Sequence, residues 1–331
     1  MKKSDVVKAL LSECACEPGA RGRAFAPANI ALCKYWGKRD EELNLPITSS
    51  LSMSLGAWGA TTEIAPRDGA DRVWLNGGEQ RPDSSFAARV SAYLDLFRTD
   101  HGFDVRTESR VPIAAGLASS ASGFAALVLA LNELYGWGLE RRALSILARL
   151  GSGSACRSVH DGFVEWHAGS RADGMDSFAE PLARTWPELR LGILEVSAAE
   201  KAIGSRAGMK STVATGALYA SWPEKVADDL LEVHAALETH DFERLGRAAE
   251  SNALSMHATM LSAWPPVLYW LPDSVKAMHA VWAARERGAP VYFTMDAGPN
   301  LKLLFLESDR SIMEKEFPNM RIVEPNERED A

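Results

Sequence analysis

The sequence predicts an α+β protein of two domains, and three observations carry that prediction. The chain has 331 residues, roughly two domains' worth at ordinary domain lengths. Strand-like and helix-like runs are interleaved, yet no G-x-G-x-x-G opens a first strand–helix unit, so a doubly wound dinucleotide sheet is not indicated. Between Gly169 and Leu189 the stretch GSRADGMDSFAEPLARTWPEL is loop-like, with Pro181 and Pro187, which sets a boundary near residues 180–190.

In the first half, TTEIAP and RVWL read as strands on either side of a Gly/Asp-rich turn, and NGG directly after RVWL is a hairpin signal. FDVRTESRVP reads as another strand. It leads into IAAGLASSASGFAALVLAL, whose second half is a helix. Phe124, Leu127, Val128, Leu131 and Leu134 recur at helical spacing, and Gly136 and Gly138 supply the stop. That helix begins near Ser119 or Ser120. In the second half LRLGILEVS is a strand, and helices are expected over Pro223–His240, Asp241–Met256 and Asp273–Gly288. PVYFTMDAGPNLKLLFLES then reads as strand, tight Gly-Pro-Asn turn and strand.

Composition narrows the function. Hydrophobic residues are 47% and charged residues 24%, ordinary for a globular chain with ample core. Net charge is −8 with no Lys/Arg block, which argues against nucleic acid or an anionic membrane as partner. An anionic substrate would need a local basic pocket. The N-terminal segment lacks a signal-type apolar run, since Asp5, Lys8, Ser12 and Glu13 interrupt it, and no run reaches the length of a membrane span. Cytoplasmic residence is the expectation. Cys14, Cys16, Cys33 and Cys156 lack paired zinc-ligand spacing and read as reduced thiols, with no role evident for Cys14 or Cys16. The seven histidines include no H-x-x-x-H, so a protein-held metal is not expected; His257 reads as a satisfied helix histidine.

Four segments concentrate unusual residues. In APANIALCKYWGKRDEELNLPITSSLSMSL, Lys34 and Lys38 flank Tyr35 and Trp36. Two lysines usually mean a solvated turn, but Ile30, Leu32, Tyr35 and Trp36 imply burial, where lysines rarely sit without an anionic partner. In GLASSA, small residues precede a helix N-terminus, whose unpaired N–H groups and dipole suit a phosphate; an ordinary Ser cap is the plain alternative. GSGSACRSVHDGFVEW joins a Gly/Ser run to Arg157, whose fork matches carboxylate or phosphate, against a simple structural ion pair. MDAGPN places Asp296 at a strand end before a turn, where an Asp often only caps. Together they supply phosphate loops, cations and one carboxylate, the parts of phosphoryl transfer.

These segments, with MDSFA, SRAGMKSTVATG, SNALSMHATM and the following WPP, run in order from Asn29 to Asn300 and resemble the diphosphomevalonate decarboxylases of the GHMP kinase superfamily. The resemblance implies a two-domain GHMP kinase fold: a ribosomal protein S5 domain 2-like N-terminal domain over residues 1–185 and a ferredoxin-like C-terminal domain over 186–331, with substrates meeting between them. It implies ATP-dependent phosphorylation of the 3-hydroxyl of mevalonate 5-diphosphate, then loss of phosphate and carbon dioxide to leave isopentenyl diphosphate. By the same resemblance, Asp296 accepts the hydroxyl proton, Lys34 stabilises the departing groups and Arg157 grips the substrate anion. Asn29, Tyr35, Lys38, Ser154, Lys201 and Ser205 match substrate-side positions. Gly116, Leu117, Ala118, Ser119 and Ser120 cradle the ATP phosphates, Mg²⁺ arrives with the nucleotide, and a homodimer is expected. Simple kinases of the superfamily usually carry an aspartate base in the third motif; here that stretch is Ser154-Ala155-Cys156-Arg157, which favours the decarboxylase branch. VHDG at 159–162 departs from the bulky residue and two glycines common in the family, and puts Asp161 near the third loop. The competing readings are a mevalonate 5-phosphate decarboxylase, a mevalonate 3-kinase and a ligand-binding homologue without turnover.

Overall fold

The structure, a computed structural model, describes residues 1–14, 17–98, 100–111, 119–199 and 201–325, and for Ser119 the backbone alone. The first part runs α1 (Lys3–Leu11), β1 (Gly22–Cys33), β2 (Lys38–Asp40), β3 (Leu45–Pro46), β4 (Ser50–Arg67), β5 (Arg72–Leu75), β6 (Gly78–Glu79), α2 (Ser85–Leu94), β7 (Gly102–Ser109), α3 (Ser119–Tyr135), α4 (Arg141–Gly151), β8 (Phe163–Trp166) and β9 (Ala179–Pro181). A 3₁₀ turn, Gly153–Val159, sits between α4 and β8.

β4 is the spine of a seven-stranded sheet. One side pairs with β1 along nearly its whole length, and the other pairs first with β8 and then with β7. Asn76 and Gly77 at positive φ (50° and 77°) turn the chain from β5 into β6, as an Asn-Gly hairpin requires. β5 pairs not with β4 but with β7, in parallel, so the TTEIAP and RVWL runs are separated by β7. α3 is more than amphipathic. Its predicted stripe is buried, and so are Ala125, Ala126 and Ala130 on its other faces, because the sheet and α4 enclose it. Gly136 and Gly138, both at positive φ, end it.

The second part runs β10 (Leu189–Leu194), α5 (Ser205–Thr215), α6 (Trp222–Thr239), α7 (Phe242–Leu261), α8 (Pro272–Glu286), β11 (Tyr292–Met295), β12 (Leu301–Leu306), α9 (Arg310–Glu316) and β13 (Arg321–Val323). The strands form an antiparallel sheet ordered β11-β12-β10-β13. α7 continues past the expected Met256 to Leu261 because Thr259 and Met260 still face the interior. α8 stops two residues before Gly288.

The largest hydrophobic cluster belongs to both parts: Ile30, Leu32 and Leu51 pack with Leu189, Leu191, Leu245, Ala249 and Leu304. All residues of β1 from Ala26 to Cys33 are buried, since α3 covers this strand and α6 and α7 reach it from the second part. Burial on both faces explains the unbroken apolar run there. It also delivers Lys34, the next residue, into the interior where the two parts meet.

Candidate active site

Lys34 leaves the end of β1 and Asp296 leaves the end of β11, 262 residues later. The Lys34 Nζ donates to Asp296 Oδ1 at 2.9 Å and to the Ala31 carbonyl at 2.8 Å. Lys34 is 2% exposed, while the Asp296 side chain keeps 26% of its surface open to a cleft of about 630 Å³. The anionic partner expected for a buried lysine is therefore Asp296. Burial disfavours the Asp296 charge, but Lys34, then Lys302 and Arg157, outweigh it and hold the carboxyl at about 2. Burial likewise pushes Lys34 down, and Asp296 partly restores it.

Next to this pair lies Arg157, in the 3₁₀ turn and 4% exposed. Asn29 Oδ1 accepts from its Nε and Nη2 (3.2 and 3.1 Å), and Ser50 Oγ from its Nη1 (2.7 Å). Asn29 is itself fixed by donating to Ser158 Oγ at 2.7 Å. These hydrogen-bond partners of Arg157 are neutral, and burial lowers its pKa. A cation held this way is pre-aimed at an incoming anion. Tyr35 lines the same wall, its ring 4.7 Å from that of Trp166 and its hydroxyl buried without a hydrogen-bond partner among the described residues. Gly153, read from the sequence as part of a phosphate loop, has a second reason to be glycine: a Cβ there would lie 2.9 Å from the Tyr35 ring and hydroxyl.

Towards the opening the character changes. Lys38 donates to Asn44 Oδ1 (2.7 Å), so its hydrogen-bond partner is a neutral amide where burial predicts an anion; burial, then Arg206, bring its pKa to about 8. Gly37 turns the chain between the two lysines at φ 113°, and a Cβ there would strike the Tyr219 hydroxyl at 1.7 Å. Lys201 donates to Ser205 Oγ (2.8 Å) and to the Ala297 carbonyl (3.0 Å). Ser205 opens α5, whose N-cap Gly204 offers no side-chain cap, leaving the first N–H groups of that helix to the cleft. Ser154 and Ser120 line the cleft, and Ser120 Oγ lies 3.4 Å from Ser152 Oγ. The described part of α3 runs from Ser119; Gly116, Leu117 and Ala118 lie outside the described residues. A smaller pocket of about 260 Å³, lined by Val105, Val111, Phe124, Leu127 and Asn76, adjoins the cleft through Arg89 and Ser120. Asp161 is exposed in the turn before β8 and does not line the cleft.

Sequence reasoning missed Arg89 and Arg206, which line the cleft from α2 and α5, and Lys302, buried in β12 behind Asp296. Each sits in a segment of ordinary composition, so only the fold exposes it. With the two arginines, the described residues that line the cleft include six cations (Lys34, Lys38, Arg89, Arg157, Lys201 and Arg206) against one carboxylate, Asp296. Among the described residues no His, Cys, Asp and Glu cluster could hold a metal ion.

Family models match both parts of the chain. Residues 26–179 match the family model of the diphosphomevalonate decarboxylase-like N-terminal domain, and residues 192–325 that of the mevalonate 5-diphosphate decarboxylase C-terminal domain. The diphosphomevalonate decarboxylase mvd1 of Aspergillus fumigatus is 40% identical over 88% of this chain and 78% of its own. Mevalonate diphosphate decarboxylase from Staphylococcus aureus superposes with a TM-score of 0.88 at 37% identity, covering 93% of this chain and 96% of that one. MDDEF, solved in complex with MVAPP, AMPPCP and magnesium, superposes with a TM-score of 0.84 at 42% identity, over 92% and 96% of the two chains. This architecture is thus the two-domain GHMP kinase fold, and the chain belongs to the diphosphomevalonate decarboxylase family.

Proposed function

We propose that this enzyme converts mevalonate 5-diphosphate and ATP to isopentenyl diphosphate, ADP, phosphate and carbon dioxide, and that the cleft residues divide the work as follows. The observation that carries the reading is the Lys34–Asp296 pair, 2.9 Å apart on the floor of a cleft whose described lining includes six cations and one carboxylate. Asp296 orients the 3-hydroxyl and takes its proton as the γ-phosphoryl group moves to that oxygen. A carboxyl held at about 2 is a weak base towards an alcohol, so its contribution is position first and proton acceptance late in the transfer. The C3–O bond then breaks with its electron pair on the departing phosphate. The C1–C2 pair becomes the new double bond, and carbon dioxide leaves. Lys34 stabilises charge on the leaving phosphate, and Arg157 aligns the carboxylate that is lost.

Tyr35, Lys38, Arg89, Ser154, Lys201, Ser205 and Arg206 hold the phosphate groups, with Asn29 setting the Arg157 fork. The N-terminus of α3, with Ser119 and Ser120 and the preceding Gly116–Ala118, receives the ATP phosphates, and the adjoining apolar pocket suits the purine. Mg²⁺ fits as an ion carried on those phosphates, whose charge it would neutralise, since the described cleft lining holds cations and hydroxyls and the single carboxylate of Asp296 is already paired with Lys34. We place the domain division at 185/186, supported by the gap between the two matched family segments. A homodimer is supported by the family resemblance and by Leu218, Trp264, Leu268 and Leu271, all largely exposed apolar side chains; sedimentation velocity tests it. Cytoplasmic residence rests on the resemblance, and cell fractionation tests it.

The deciding experiment incubates the protein with ATP, Mg²⁺ and, separately, mevalonate, its 5-phosphate and its 5-diphosphate. Equal release of ADP, phosphate and carbon dioxide with the diphosphate is expected. The same release with the monophosphate alone, or ADP without carbon dioxide, overturns the reading.

A further inference from the structure

Two of the buried polar side chains of α7, Asn252 and His257, reach the site although the reaction as described gives them no part. Asn252 accepts the Lys34 backbone N–H on Oδ1 at 2.8 Å and donates from Nδ2 to Asp229 Oδ2 at 2.7 Å. Asp229, buried on α6, binds Lys225 Nζ through its other oxygen. Five residues further along, His257 is 2% exposed, donates from Nε2 to the Asp296 backbone carbonyl at 3.1 Å, and stacks on Trp270. Five residues of helix separate the two side chains by about 7.5 Å along the axis and about 140° around it. One therefore addresses the end of β1 and the other the end of β11.

Those are the two strand ends from which Lys34 and Asp296 project. β1 and β11 belong to different sheets, with no ladder between them. Thr294 Oγ1 of β11 does donate to the Ala31 carbonyl of β1, but at 3.4 Å; α7 holds both strand ends by shorter bonds, at 2.8 and 3.1 Å, and so is the better placed to set the 2.9 Å contact between Lys34 and Asp296.

We propose that Asn252 and His257 are positioning residues that make α7 the gauge holding the Lys34 ammonium against the Asp296 carboxylate. The inference rests on the roles given to those two groups under the proposed function. The Asn252 amide has a defined orientation: its NH₂ faces the Asp229 carboxylate and its oxygen faces a backbone donor, so a flip would lose both bonds. Burial brings the His257 pKa down to about 3, so the imidazole stays neutral and its geometry is the same throughout the working pH range.

The test uses His257→Phe, which keeps a ring to stack on Trp270 but removes the donor, and His257→Gln, whose Nε2 can donate from a similar place. The Asp296 carbonyl still accepts from the Gly298 N–H at 2.8 Å, so His257→Phe leaves no buried oxygen without a partner. Misplacing the pair by a fraction of an ångström is expected to lower kcat about 10- to 100-fold, with KM for ATP and for the diphosphate unchanged and kcat largely recovered in His257→Gln. Asn252→Leu is expected to behave as His257→Phe does; if it fails to fold, the histidine pair decides. Asp296→Asn is assayed alongside. Normal kcat in His257→Phe with an inactive Asp296→Asn overturns the positioning role and leaves the role of Asp296 standing. An active Asp296→Asn overturns that role instead. Equal loss in His257→Phe and His257→Gln, in step with a lowered melting temperature, assigns His257 to stability alone.

Discussion

The floor and the mouth of the cleft are built from the same residue types to different ends. On the floor, Lys34, Arg157 and Lys302 are at most 4% exposed, and Lys34 and Arg157 have hydrogen bonds fixing more than one atom of the head group or backbone. At the mouth, Lys201 and Arg206 are exposed and Lys38 is half-buried. Charge on the floor is scarcely screened and cannot reorganise, so it acts on the transition state. Charge at the mouth is screened by salt and acts on capture. Changes to the floor should therefore appear in kcat and changes to the mouth in KM.

The largest effect is expected for Asp296→Asn. Asparagine still accepts from Lys34 but takes no proton, so kcat should fall about 10²- to 10⁴-fold while ATP binding, followed by equilibrium titration, stays as in the parent. Near-normal kcat would remove Asp296 from the chemistry. Arg157→Met should follow with a loss of about 10²-fold in kcat, the scale seen for one pre-aimed donor, and again without change in ATP affinity. A defect confined to the nucleotide would reverse the assignment of floor and mouth for this residue.

The floor was the more legible half in sequence. A buried run, Ile30 to Trp36, that contains a lysine demands an anion, and a strand that ends in Asp before a Gly-Pro turn offers one. Their meeting needs the fold, because 262 residues intervene. Lys302 escaped notice because NLKLLF reads as an edge-strand lysine, whereas β12 is the second strand of its sheet and is buried. The mouth was half legible. Lys38 stands out beside Lys34 in a segment whose composition implies burial, and Lys201 and Ser205 come through the family likeness, while Arg89 and Arg206 sit on helices where an arginine is ordinary. His257 was read as a satisfied helix histidine, and it is one. Which carbonyl satisfies it could not be known without β11. Lengths of elements failed where packing decides them, as in the extra turn of α7 around Met260.

Arg206→Ala sharpens the comparison from the other side. Arg206 is exposed, so its removal should raise KM for the diphosphate about tenfold or less, the scale of one partly screened charge, with kcat unaffected. The salt dependence of kcat/KM should become shallower in the variant. A fall in kcat at constant KM would mean that the mouth takes part in the chemical step.

The smallest effect concerns pH. Burial and Arg206 bring the Lys38 pKa down to about 8, so its ammonium is lost as pH rises through that value and regained below it. The attraction for an anionic substrate is lost in the same direction. kcat/KM, which reports the free enzyme, should decline severalfold above about pH 8, and kcat should not, because bound phosphate keeps Lys38 charged. Lys38→Arg remains charged throughout this range and can still donate to Asn44, so the alkaline decline in kcat/KM should disappear. The Lys302 pKa is also about 8, pushed there by burial, but Lys302 is buried on β12 and acts on Asp296 through its charge. A decline that persists in Lys38→Arg and appears in kcat as well would therefore assign the titration to the floor, where loss of the Lys302 charge weakens the field that keeps Asp296 ionised.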